Sequence, residues 1–425
     1  MHILLIGNGG REHAIAWKLA QSPRVNRISV APGNPGTAAE PGVENLAIDV
    51  LDTAALIDFA HREKVDLTIA GPEAPLVAGV ADAFHEAGLR FFGPMAAAAR
   101  LEGSKSYARA FMQQHGIPSP GHAVFDDVDA ARRYIEAEGA PIVIKADGLA
   151  AGKGVVVAHS VAEAIAAAED MLGRSRFGEA GARIVVEGFL AGEEASFIAV
   201  VSGRDCIALA SSQDHKARDE GDRGPNTGGM GAYSPAPVVT DAVAEKVMTR
   251  IIQPTADALA DNGTPFVGFL YAGLMIDAAG DPTVVEFNVR LGDPETQPLM
   301  MRLDSDLLPL IEAAVDGKLA GTALDWKDGS AIGIVVAAES YPAAGSKGAA
   351  ISGIDEAEAL ACKVFHAGTA DAGGELVTNG GRVVCVTSHA GNLAEAQAKA
   401  LKGAERIRFD GARFRRDIGH HGLAR

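Results

Sequence analysis

Residues 283–298 read TVVEFNVRLGDPETQP. Successive side chains on a strand point to opposite faces, so Val285, Phe287 and Val289 form an apolar face and Glu286, Asn288 and Arg290 share the other. At a rise of ~3.3 Å per residue these polar groups stand about 7 Å apart. A carboxylate and a carboxamide are oxygen donors suited to a hard cation such as Mg²⁺. The guanidinium two residues on suits a carboxylate or a phosphate. A half-buried strand with a solvated polar face fits the same pattern. The turn that follows at once, Gly292-Asp293-Pro294-Glu295-Thr296, favours an active-site loop on a rigid scaffold.

Other stretches carry chemistry of their own. Residues 141–158, PIVIKADGLAAGKGVVVA, give a strand ending in Lys145, a turn with Gly152, Lys153 and Gly154, and a second strand. A lysine closing an apolar strand needs an anionic partner. The turn is not a P-loop: Gly148 and Gly152 enclose three residues, Gly154 follows Lys153, and a strand comes next where a helix is required. Such a hairpin can fold over a triphosphate as a lid, or be a plain surface hairpin. Residues 182–201 read as strand, turn, strand, with Glu187 closing the first and Glu193 and Glu194 following Gly192. These acids can accept from a nucleoside's amino group and hydroxyls beside the Leu190 backbone, or be solvated turn carboxylates. The polar, glycine-rich loop 211–235 is long enough to be functional or disordered. Its Gln213-Asp214-His215-Lys216 and Asn226-Thr227-Gly228-Gly229 favour an active-site wall, with His215 reading more readily as a structural histidine.

These residues need elements to hold them. Residues 1 to about 95 alternate short strands (HILLIG, RISVAP, VDLTIAGP, LRFFGP) with helical patterns near 12–21, 53–63 and 78–87. That alternation predicts a doubly wound parallel sheet, with ligands beyond the C-terminal strand ends. Those ends carry Asn8, Gly9, Gly10 and Arg11, then Pro32, Gly33 and Asn34, then Gly71, Pro72 and Glu73. The first loop departs from the dinucleotide fingerprint, because Glu12 takes the third glycine position and the second strand ends without an acid. It remains a phosphate site at a helix N-terminus, or a plain tight turn. Residues 100–120, with Lys105 in a polar helix start and a Gly-Ile-Pro-Ser-Pro break, read as a linker. Helices are expected near 130–137, 162–171, 240–261 and 304–316, and a strand at 266–277. Beyond a boundary at 325–330 follows a small α+β domain with a helix at 393–407. Arg406, Arg408, Arg413, Arg415 and Arg416 read as a solvated basic face. The division is 1–104, 105–325 (a mobile lid subdomain at 121–195, a central one at 196–325) and 326–425.

The chain has 425 residues, 48% hydrophobic and 22% charged, an ordinary globular composition. With 38 basic and 55 acidic residues its net charge is −17, which argues against nucleic-acid or anionic-membrane partners. No apolar run spans a bilayer, and MHILLIGNGG lacks a basic n-region, so it reads as a buried strand. Cys206, Cys362 and Cys385 are scattered singly and fit free thiols in a reducing cytoplasm.

A lysine-ended strand, a glycine-rich hairpin, an acid-ended hinge and a Glu-x-Asn strand together resemble the ATP-grasp ligases. Within them the chain is similar to the glycinamide ribonucleotide synthetase (phosphoribosylamine–glycine ligase) family. The resemblance rests on IGNGGREHA at 6–14, GPEAPL at 71–76, IKADGLAAGKGV at 144–155, SSQDHK at 211–216, GPNTGGMGAYSP at 224–235 and RLGDPETQP at 290–298. It covers the chain from end to end. It implies ATP-grasp central domains and an ATP-dependent joining of glycine to 5-phosphoribosylamine through a glycyl phosphate, in de novo purine biosynthesis. It further implies ATP as co-substrate and Mg²⁺ or Mn²⁺ on Glu286 and Asn288. Lys105, Lys145 and the hairpin residues Gly152, Lys153 and Gly154 would face the phosphates, and Glu187, Leu190 and Glu193 the adenosine. Arg290 would hold the glycine carboxylate or the acyl phosphate, Asp214 the glycine ammonium, and Gly229 would lie alongside. Asn8, Gly9, Gly10 and Arg11 would take the 5-phosphate, with Asn34, Pro72 and Glu73 near the ribose. Many ATP-grasp enzymes have a further metal-ligating acid on the preceding strand, where this chain has none before Asp277. The expected partners are small molecules, the expected state a monomer, and the expected compartment the cytoplasm. Rival readings are another ATP-grasp ligase acting on a purine-pathway ribotide, a non-catalytic nucleotide sensor, and a nicotinamide dehydrogenase. The ligase reading requires Lys145 and Glu286 to line one cleft.

Overall fold

Strand His2–Gly7 is apolar from Ile3 to Ile6 and fully buried there, as a strand covered on both faces must be. It pairs in parallel with Arg27–Pro32 and Leu67–Ala70. The sheet continues outward to Val43–Asn45 on one side and Phe91–Phe92 on the other. This is the doubly wound sheet expected from the alternating pattern. The computed structural model describes residues 1–149, 154–173 and 181–425, so Gly152 and Lys153 lie outside the described residues. Strand Val43–Asn45 and helix Pro35–Ala39 escape a reading by periodicity because each is shorter than two helical turns.

Residues 100–120 are not a linker. Helices Ala96–Gly103 and Lys105–Gln114 fill most of the span. The polar stretch around Lys105 is a helix cap, with the Ser104 hydroxyl accepting from the Tyr107 amide at 3.2 Å. Asp147, from the first lid strand's end, accepts from the Ser106 amide (2.7 Å) and from both serine hydroxyls. The lid sheet runs His122–Phe125, Ile184–Gly188, Ile142–Ala146 and Val155–Ala158, all antiparallel.

The central sheet runs Asp205–Ala208, Glu193–Ser202, Val267–Ile276 and Pro282–Asn288. Its last pairing is bulged: Gly273 faces Glu286 while Leu274 faces Val284. The bulge corrects the alternation read from sequence. Val284, Phe287 and Val289 enter the core, whereas Val285 turns onto the cleft wall.

Strands Gln213–Asp214 and Gly231–Ser234 join a sheet with Ser330–Ala338, Arg382–Ala390 and Lys363–His366. The 211–235 loop is thus built onto the C-terminal region. Arg415, expected on a solvated face, is 1% exposed and bonds Asp222, Asp417 and the Ala217 carbonyl, because burial of its guanidinium requires that many acceptors. All three cysteines are free. Among the described residues no helix is long and apolar enough to cross a membrane.

His215 is structural. Its Nδ1 meets the Gly231 carbonyl at 3.2 Å and its Nε2 accepts from the Gly419 amide at 3.1 Å. Burial, with Arg415 nearby, lowers its pKa to about 3. Unfolded, it titrates near the ordinary histidine value of 6.5. The folded pKa is the lower, so as pH falls from about 6.5 towards 3 the unfolded chain takes up a proton that the folded chain refuses. The neutral ring's contribution is complete above that window and is lost through it, by about 1.4 kcal/mol per pH unit. A His215→Gln chain should therefore close its stability gap to the wild type as pH drops from 7 to 4.5, measured by thermal melts. A gap that stays constant would contradict this.

Candidate active site

A single cleft of about 1360 Å³ collects residues from every sheet that the sequence marked. Lys145 and Glu286 both line it, as the ligase reading requires. So do Asn8, Gly9, Arg11, Asn34, Glu73, Lys105, Gly154, Glu187, Leu190, Asp214, Asn288 and Arg290. Gly10, Pro72, Glu193 and Gly229 are not on its wall, and each is held elsewhere.

At the lid end, Lys145 and Arg109 share the same partners. Lys145 Nζ lies 2.9 Å from Glu187 and 3.0 Å from the Val285 carbonyl. Arg109 grips both Glu187 oxygens at 2.7 Å and donates to the carbonyls of Val284 (3.0 Å) and Val285 (2.6 Å). Burial lowers the Lys145 pKa although Glu187 opposes it. Burial would raise Glu187, but Lys145 and Arg109 outweigh it and hold the carboxyl low. Lys105 Nζ donates to the Gly148 carbonyl at 3.1 Å. The two acids after Gly192 separate by strand parity. Glu193 turns away to Gln213 (2.9 Å) and Arg425 (2.6 Å), while Glu194 faces the cleft.

Glu286 and Asn288 form the floor. Lys216 bridges Glu194 and Glu286, at 3.3 Å from the latter. Lys216 lowers the Glu286 pKa to about 2 against the effect of burial, with Lys145 and Lys105 assisting. An ionised carboxylate beside a carboxamide oxygen is a hard donor pair, so these residues fit Mg²⁺ or Mn²⁺.

Asp214 faces the other end. Its Oδ1 accepts from the His215 amide at 2.7 Å. Burial and the neighbouring Glu295 raise its pKa well above the ordinary range, Lys216 opposing. Glu295 is itself buried, 2.9 Å from the Ser196 hydroxyl and 3.0 Å from that of Tyr271. Gly229, at φ +111°, passes so close that a Cβ would lie 2.4 Å from Pro294 and 2.6 Å from Asp214. It shapes the wall from behind.

Arg290 lies between Glu73 (3.1 Å) and Glu102 (2.6 Å), and donates to the Leu291 carbonyl at 3.3 Å. Burial would raise Glu73, but Arg290 and Arg11 hold it at about 2. Burial raises Glu102 to about 7 with Arg290 opposing, while the Val289 amide donates to it at 2.7 Å. Arg11 donates to Glu12 and to the Leu291 carbonyl. Glu12 occupies the space of a third fingerprint glycine: a Cβ on Gly7, Gly9 or Gly71 would sit within 3 Å of its side chain. Gly10 packs on Gln297. Pro72 caps helix Glu73–Val77. The Asn34 side chain is spent on the Gly36 and Thr37 amides and on the Asn8 and His366 carbonyls.

Glu102, Arg109 and Arg382 line the cleft without a role in the sequence reading, whereas Glu194, Lys216 and Glu295 lie in stretches it marked, Glu194 as one of two acids for a nucleoside. Parity singles out two of them. Lys216 is two residues from Asp214, and Glu194 shares a strand face with Ser196. Arg382 Nη1 reaches the carbonyls of Gly228 (2.6 Å) and Asp293 (2.5 Å), and its Nη2 the Asp293 carboxylate (3.0 Å). Nothing in GGRVVCV signals this.

Family models match in order along the chain: phosphoribosylglycinamide synthetase N domain at 1–102, its ATP-grasp (A) domain at 103–296 and its C domain at 331–421. The chain is 58% identical over 425 residues to a phosphoribosylamine–glycine ligase of Allochromatium vinosum, covering 100% of this chain and 99% of that one. One from Vibrio vulnificus is 55% identical with the same coverage. Among solved structures, a phosphoribosylamine–glycine ligase of Thermotoga maritima superposes with a TM-score of 0.85 at 33% identity, covering 98% of this chain and 100% of that one. A biotin carboxylase of Campylobacter jejuni shares the fold at 15% identity, with a TM-score of 0.72 over 99% and 94% of the two chains. Full-length identity and three matched domains in order place this chain in the phosphoribosylglycinamide synthetase family of ATP-grasp ligases.

Proposed function

We propose that the chain joins glycine to 5-phosphoribosylamine at the expense of ATP, as a ligase of de novo purine biosynthesis. The observation that carries this is the meeting of Lys145, Glu286, Asn288, Asp214 and Arg290 on one cleft. A glycine carboxylate oxygen attacks the γ-phosphorus and ADP leaves, giving glycyl phosphate. The amine of 5-phosphoribosylamine then attacks the carbonyl carbon, and phosphate departs with the amine's proton. Phosphoryl transfer is mostly positioning and charge neutralisation. Lys145 and Lys105 neutralise phosphate charge from the lid side, and Lys216 from the floor. Glu286 and Asn288 would hold a divalent cation, which would supply neutralisation of the charge that develops on phosphoryl transfer. Leu190 and Glu194, both on the cleft wall, take the adenosine in this reading. Glu187, with both oxygens bound to Arg109, keeps the lid attached to the floor.

Asp214 is the proposed seat of the glycine ammonium, because an acid crowded by burial and Glu295 gains most from a cation. Arg290 receives the glycine carboxylate, oriented by Glu73 and Glu102. Asn8, Gly9 and Arg11 face the cleft where the 5-phosphate enters. Free thiols at Cys206, Cys362 and Cys385 fit a reducing cytoplasm.

Two variants test these roles in an ADP-release assay with each substrate omitted in turn. Glu286→Gln should lower turnover by about 100-fold or more at saturating substrates, and undiminished turnover would overturn the floor's role. Asp214→Asn should raise the KM for glycine about 10-fold or more, the loss of a hydrogen bond to a charged group, while the KM for ATP stays near wild type. Equal changes in both would show a merely structural role.

A further inference from the structure

Behind the Asp214–Lys216 wall, three side chains converge that the ligase reaction does not use. Asp222 lies in the turn between strands Ala217–Asp219 and Arg223–Asn226. His420 and His421 open the helix His420–Leu423. His421 Nε2 is 3.0 Å from Asp222 Oδ2, and His420 Nε2 is 3.1 Å from the same oxygen. The three ligand atoms all lie within 4.8 Å of one another.

The neighbours of this cluster set its chemistry. His420 Nδ1 is 3.0 Å from the Asp417 carbonyl. A carbonyl can only accept, so Nδ1 carries hydrogen and the neutral ring offers a bare Nε2 lone pair. A bare nitrogen and a carboxylate oxygen at 3.1 Å repel one another unless a proton or a metal ion lies between them. Arg415, 1% exposed, donates from Nη2 to Asp222 Oδ1 at 2.9 Å, leaving Oδ2 towards the imidazoles. Such an outer partner orients a ligating carboxylate. His215 packs against both rings, with centroids 5.3 and 5.8 Å away.

We propose that Asp222 Oδ2, His420 Nε2 and His421 Nε2 form a site for one divalent transition-metal ion of the Zn²⁺ class, with water completing the shell. Two imidazoles and one carboxylate suit such an ion and not Mg²⁺, which sets the site apart from Glu286 and Asn288. A tetrahedral centre with bonds of ~2.0–2.2 Å separates ligand atoms by roughly 3.3–3.5 Å. The two short spans need widen only by a few tenths of an ångström. The ion would staple the C-terminal helix to the hairpin whose second strand ends at Asn226, a cleft residue. It would thereby brace the wall carrying Asp214 and Lys216.

The test uses the full-length, untagged chain with Co²⁺ as probe and Mg²⁺ in excess. The wild type should bind one Co²⁺ per chain with the intense visible absorption of a four- or five-coordinate nitrogen and oxygen site. Zn²⁺ should displace it. The His420→Gln/His421→Gln chain should lose that band while its circular dichroism matches the wild type. Absence of the band in the wild type, or its survival in the double variant, overturns the site and leaves a plain Asp–His ion pair. Should the double variant not fold, wild-type melts decide: saturating Zn²⁺ should raise the midpoint by several degrees, and an unchanged midpoint overturns the proposal.

Discussion

Two cations end on one carbonyl, and the cleft depends on that meeting. Lys145 from the lid sheet and Arg109 from helix Lys105–Gln114 both donate to Val285. The carbonyl is there because the strand bulges opposite Gly273 and Leu274. Glu187 closes the group from a second lid strand, nine-tenths or more out of water like its partners. Removing one member of such a buried cluster strands the others without compensation, so the four positions hold one another in register. The bulge also sets the direction of Glu286 and Asn288. Without it, strict alternation would put Val285 in the core.

Around that anchor the cleft is arranged by charge. Lys216 stands between Glu194 and Glu286, on the floor, and keeps the latter ionised. Towards the other end the balance reverses. Asp214 and Glu295 crowd each other in a buried setting, and Glu73 and Glu102 both claim Arg290. A molecule carrying an ammonium and a carboxylate a few ångströms apart complements this second region, as glycine does. A polyanion complements the lysine-lined first region. The proposed reaction would join them at Glu286 and Asn288, where the regions meet.

The parallel sheet, the strand pair Ile142–Ala146 and Val155–Ala158 and the floor strand were legible because each repeats a period. The rejection of a dinucleotide fingerprint had a physical basis that the structure makes visible, since the Glu12 side chain fills the place of the missing glycine. Three kinds of feature were not legible. A bulge leaves no mark in alternation, so Val285 was placed on the wrong face. Helix caps resemble linkers, so residues 100–120 were misread. Long-range pairs such as Arg382 with Asp293, or Arg415 with Asp222, depend on segments that meet only after folding. Strand parity gave more than it was asked for: Glu194 and Lys216 follow from it, and Glu193 is excluded from the wall by it.

In the proposed reaction this cleft activates the carboxylate of glycine with the γ-phosphate before the amine takes part. ATP carrying ¹⁸O in its β,γ-bridge tests it directly. With Mg²⁺ and glycine but no 5-phosphoribosylamine, reversible formation of glycyl phosphate should scramble the label into the non-bridging β-positions, and omission of glycine should abolish the exchange. Exchange that ignores glycine, or none until the amine is added, would contradict the account.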